Sequence, residues 1–192
     1  QTEGANITAT DESGIKDSQG QERKGQIAFI SAQYKGFKLN SIIDEITTPM
    51  VTGAFRWTGD ADFRLERWFI DLGYEHNFTK DWSASLNYTL NRHERFVIQD
   101  AINTSKFRAE GNTTEATITG KFVEDLDITL GGTLDNIKGN LFTRGGSYKS
   151  SRKSLYTQLA YKYNHLLKLI TGVQWNDPEL TDPDISSRLG II

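Results

Sequence analysis

Residues 68–90 read WFIDLGYEHNFTKDWSASLNYTL, and this stretch decides the fold. Along its first half Trp68, Ile70, Leu72 and Tyr74 alternate with Phe69, Asp71, Gly73 and Glu75. Along its second half Trp82, Ala84, Leu86, Tyr88 and Leu90 alternate with Ser83, Ser85, Asn87, Thr89 and Asn91. A period of two sends the two sets to opposite faces of a strand, so the stretch predicts a hairpin with unlike faces, turned at residues 77–81. Each arm is about ten residues long, against roughly five or six in most soluble sheets. About ten residues of tilted strand is the length that crosses a bilayer. The hairpin reads as part of an outer-membrane β-barrel wall.

The remaining sequence repeats this pattern. Residues 5–10 predict a strand, followed by a polar loop with Gly14 and Gly20. A strand over 26–34 turns at Lys35-Gly36 and returns over 37–44. Residues 45–65, with Pro49, Gly53 and Gly59, read as a long connection, and so does the charged run 92–107. A strand over 110–121 carries Ala116, Ile118 and Phe122 on one face; after the turn at 123–125, Leu126, Ile128, Leu130 and Leu134 mark the next. Residues 136–152 read as a loop rich in Gly, Ser and basic side chains. Leu155, Leu159, Tyr161 and Tyr163 mark another strand, and the chain turns at Asn164-His165 and runs back to Trp175. An acidic loop over 176–184 precedes a last strand over 185–192.

The connections thus alternate short and long, as in an up-and-down outer-membrane barrel. Pro49, Pro178 and Pro183, all the prolines of the chain, fall in the long ones, as expected of a residue that cannot donate to a strand ladder. Aromatic residues gather at the short turns, Tyr34, Phe37, Phe78 and Trp82 among them, as in a membrane-interface girdle. The expected fold is all-β: an antiparallel up-and-down meander of about ten long strands without helices, part of a transmembrane β-barrel. Ile70, Leu72, Trp82, Ala84, Leu86, Tyr88, Leu159 and Tyr161 are expected on the convex, lipid-facing side of the curved sheet, and Ser83, Ser85, Asn87, Gln158 and Lys162 on the concave side. A soluble β-sandwich or propeller also alternates, with its apolar side inward, and stays open as an alternative.

Composition bounds the function. The chain has 192 residues, a net charge of −3 and a mean hydropathy of −0.52. No apolar run is long enough for a transmembrane helix or a signal peptide; barrel strands, apolar on alternate residues only, need none. The small charge and the lack of a basic, aromatic-laced patch argue against nucleic acid as a partner. Cysteine is absent, which removes disulfide and thiol chemistry. His76, His93 and His165 are scattered, and none is spaced with Ser, Asp or Cys as a triad. Asp177, Glu179, Asp182 and Asp184 lack the spacing of a calcium loop. No catalytic residue, metal site or cofactor is expected. The ligand-binding candidates are Arg56 and Trp57 in one long connection and Arg92, His93 and Arg95 in another. Arginine gives bidentate contacts to carboxylate or phosphate, and aromatic rings supply apolar contact area.

Several stretches resemble the barrel of a TonB-dependent outer-membrane receptor. They are Tyr34-Lys35-Gly36-Phe37-Lys38-Leu39, the loop with Thr48-Pro49 and Thr52-Gly53-Ala54-Phe55, the hairpin from Trp68 to Tyr88, and the run from Leu167 to Asn176 followed by Pro178-Glu179 and Ser187-Arg188-Leu189-Gly190. The likeness extends from about Gly25 to the end. It implies a transport receptor, not an enzyme, that takes up a scarce small molecule such as a siderophore, another metal chelate or cobalamin. The implied location is the bacterial outer membrane, and the implied partners are outer-membrane lipid and the TonB complex. No plug domain, TonB box or barrel-closing strand with a terminal aromatic is found, so residues 1–192 are expected to be an internal part of the barrel domain, with two free edges at 5–10 and 185–192. Other readings are a complete small barrel, adhesin or hydrolase, and a soluble β domain binding carbohydrate or protein.

Overall fold

The computed structural model describes residues 6–10, 16–20, 23–49, 62–98, 104–141, 146–164 and 166–192. Among the described residues there are eleven strands and no helix. β1 (Asn6–Thr10) and β2 (Lys16–Gly20) pair as a separate hairpin. The other nine are β3 (Lys24–Tyr34), β4 (Phe37–Pro49), β5 (Asp62–Asn77), β6 (Trp82–Ile98), β7 (Thr104–Val123), β8 (Leu126–Leu141), β9 (Gly146–Lys162), β10 (Lys168–Pro178) and β11 (Asp184–Ile191). They form one open antiparallel sheet in sequence order, with β3 and β11 at its edges. The expected meander is therefore present.

Its strands are longer than the sequence suggested. β7 reaches 20 residues. Most of the runs read as long connections are strand: β4 continues to Pro49, β5 begins at Asp62, β6 continues to Ile98, and β8 and β9 absorb most of 136–152. Cross-strand pairing is the reason. Arg92 stands opposite Glu110, and Glu94 opposite Arg108, so charges that look like loop residues one at a time are complementary in register. Pro49 and Pro178 end strands instead of sitting in loops. Residues 16–20, read as loop, form β2, and the first edge of the main sheet is β3 rather than 5–10. A register shift between Lys121 and Val123 puts Val123, not Phe122, opposite Leu126.

Lys35 and Gly36 have φ of 47° and 87°, the left-handed pair that a two-residue hairpin turn requires. A Cβ on Gly36 would meet the Glu75 carbonyl oxygen at 2.3 Å, so glycine is needed there twice over.

The register sorts side chains onto two faces. On the first, strands such as β5, β6 and β8 are apolar from their short-turn ends and then become polar or charged. On β6 the apolar run goes from Trp82 to Leu90, nine residues, followed by Arg92 and Glu94. Next to it Tyr74, Leu72, Ile70 and Trp68 of β5 give way to Glu66 and Arg64. On β8, Leu126 to Leu134 give way to Asn136 and Lys138. Trp68, Trp82 and Trp175 all belong to this apolar face. Nothing in the described structure covers it. Ala160 is the one buried apolar residue among those described, while the other buried side chains are Ser41, Asp44, Glu94 and Ser154. The sheet has polar buried groups and no hydrophobic core.

Candidate functional site

Behind the apolar band, the second face carries a ladder of hydrogen bonds between neighbouring strands. Lys38 pairs with Glu75 at 3.0 Å, and Thr89 donates to Asp71 at 2.7 Å. Asp135 accepts from Thr113 and from Arg152 at 2.7 Å each. The Tyr156 hydroxyl lies across Gly131, where a Cβ would meet it at 2.4 Å, and donates to Glu115 at 2.7 Å. Arg188 donates to Gln158 at 2.9 Å. Half-exposed carboxylates and hydroxyls in this arrangement suit contact with water.

Farther from the short turns the polar face changes character. Phe69, Ile42 and Ile27 appear where the pattern nearer the turns would place polar residues, and with Ile137 they border a concavity of about 650 Å³. Asp44, Arg67 and His93 stand side by side on β4, β5 and β6 at its upper margin. The row continues through Ala109 and Gly139, and the row below ends on Gly111 and Ile137; these small residues keep the floor open. Arg67 Nε donates to both Asp44 carboxylate oxygens at 2.9 Å, and its Nη2 also bonds Oδ2. Asp44 is 6% exposed, yet the Arg67 side chain is 54% exposed. A buried carboxylate thus fixes a guanidinium whose remaining N–H groups have no partner among the described residues and can face an anion, beside apolar surface for the rest of a ligand.

Arg92 and His93 both border the concavity, but on opposite faces of β6. Arg92 lies on the apolar face, where it donates to Glu94 and sits 5.8 Å from the Trp68 ring. His93 and Arg95 lie on the opposite face; His93 lines the concavity, and Arg95 sits 4.2 Å over Phe63. All three belong to β6, not to a loop. Arg56 and Trp57 lie outside the described residues. Asp44, Arg67 and Phe69 were not among the candidates, although the apolar Phe69 beside Asp71 was a legible break in the polar pattern. Among the described residues no three His, Cys, Asp or Glu side chains gather as a metal site. Glu179 of the acidic stretch instead accepts from Ser151, at 2.8 Å from the backbone and 3.0 Å from the hydroxyl. Neither a scan against protein-family models nor a search of curated proteins returns a match.

Proposed function

We propose that the nine-stranded sheet is a section of an outer-membrane β-barrel wall, apolar face to lipid and polar face to a hydrated lumen. We further propose that the barrel is a TonB-dependent transport receptor that takes up a metal chelate or cobalamin. The observation that carries the barrel reading is the uncovered apolar band, whose nine-residue height on β6 is that of a tilted strand crossing a bilayer. An apolar groove between Leu39, Leu72, Tyr74, Leu86 and Tyr88 has the character of an acyl-chain contact. At the short-turn end Phe37 and Tyr74 meet at 4.5 Å, and His76 and Phe78 at 5.4 Å, as interfacial aromatics do. The receptor reading rests on the sequence resemblance, and the Arg67 concavity is the site it would use.

The absence of cysteine makes a direct test simple. With the chain folded into phosphatidylcholine vesicles, a membrane-impermeant maleimide should label Asn87→Cys and spare Leu86→Cys. Equal labelling would return the chain to the soluble β-domain class. For the ligand, ferric citrate binding can be followed by tryptophan fluorescence. Arg67→Ala should weaken it about tenfold, the scale of a lost charge-assisted hydrogen bond. Unchanged affinity would remove Arg67 from ligand contact.

A further inference from the structure

Above the apolar band, on the same face, lies a belt of charge. Glu94 accepts from Arg92 and from Lys106 at 2.9 Å and forms an ion pair with Arg108 at 3.5 Å, while Arg108 also donates to Glu110, which pairs with Lys138 at 2.7 Å. The two signs are not equally presented. The Glu94 and Glu110 side chains are 4% and 13% exposed, and the cations around them 32–60%. The carboxylates act as anchors below, and nitrogen faces outward.

Across β9 the imbalance grows. Lys149 is in register directly opposite Lys138, an arrangement that repels unless an anion lies between. Lys153 follows two positions nearer the band, past Ser151 and opposite Leu134. Neither Lys149 nor Lys153 has an ion-pair partner among the described residues. From β6 to β9 six cations meet Glu94 and Glu110, and Asp177 on β10 stands opposite Lys153. Among the described residues, six less three leaves an excess of three positive charges beside an apolar surface.

We propose that this belt seats the anionic phosphate headgroups of membrane lipid, with the acyl chains lying on the band below. The inference rests on the apolar face being the lipid-facing one. Charge complementarity and continuity with the band favour a lipid over a soluble anion, because only a lipid engages both surfaces at once.

Spin-labelled lipid tests it. In phosphatidylcholine vesicles holding the folded chain, spin-labelled phosphatidic acid should be motionally restricted at the protein in preference to spin-labelled phosphatidylcholine. Lys149→Gln with Lys153→Gln disturbs no ion pair and should reduce that preference roughly fivefold per cation engaged. Arg108→Gln with Lys138→Gln should reduce it further, and Arg152→Gln, on the other face, should leave it intact. Equal restriction of both lipids would overturn the headgroup proposal while leaving the barrel reading standing. Restriction of neither would overturn both. Loss of the preference in excess inorganic phosphate, at ionic strength matched with chloride, would reassign the belt to a free anion.

Discussion

Leu86→Arg is expected to destabilise the chain in phosphatidylcholine vesicles by about 2–4 kcal/mol, and Asn87→Arg by under about 1 kcal/mol. Leu86 sits in the middle of the Trp82–Leu90 run, between Tyr74 of β5 and Ala116 of β7, and is 53% exposed. In a water-facing sheet a half-exposed leucine tolerates arginine within about 0.5 kcal/mol. Against lipid the same substitution carries a charge to mid-membrane depth. Asn87 is one residue away and on the polar face, so the pair shares backbone, strand and depth and differs in facing alone. Denaturant titration from vesicles reads both values. Small, equal effects would mean that the apolar face meets water.

Glu94→Gln is expected to cost about 2 kcal/mol, because a buried carboxylate holding several cations is hard to replace; the partial exposure of those cations keeps the loss below the roughly 3–5 kcal/mol of a fully buried pair. Glu94 lies beyond the apolar band, past Arg92 on β6. Burial pushes its carboxyl up, but hydrogen bonds from Lys106 and Arg92 and their charges outweigh that, and its pKa lies below the ordinary 4.5. A carboxyl lowered by folding stabilises fully above its unfolded-state value, and the contribution is lost as pH falls through the folded-state value. The gap between native and Gln variants should therefore hold from neutral pH down to about 4.5 and close in stronger acid. A gap that persisted at low pH would show that shape, not charge, makes Glu94 matter.

The sequence made the hairpins and their facing legible because alternation is a local signal. Trp82 to Asn91 can be sorted by eye, and Lys35-Gly36 announces its own turn. Strand ends were not legible in the same way. Residues 92–98 look like a loop because much of what their charges meet lies on other strands: Lys106 and Arg108 of β7 beside Glu94, and the Trp68 and Phe63 rings of β5 beside Arg92 and Arg95. The concavity was hidden for a related reason. Asp44 and Arg67 are 23 residues apart, and each resembles a solvated charge until the strands bring them together. His93 was recognised as a candidate, but for a loop rather than for its place beside Arg67.

Every substantial contact in the main sheet joins strands adjacent in sequence. Such an architecture behaves like a one-dimensional array, in which stability is a sum of neighbour terms. A hairpin can be gained or lost by duplication or deletion without re-registering the others. Since the hairpins from β3 to β10 carry apolar runs measured from their own short turns, an added hairpin alters the width of the sheet and not the height of the band. The width of such a sheet can therefore change by whole hairpins while the length of its apolar runs is inherited unchanged.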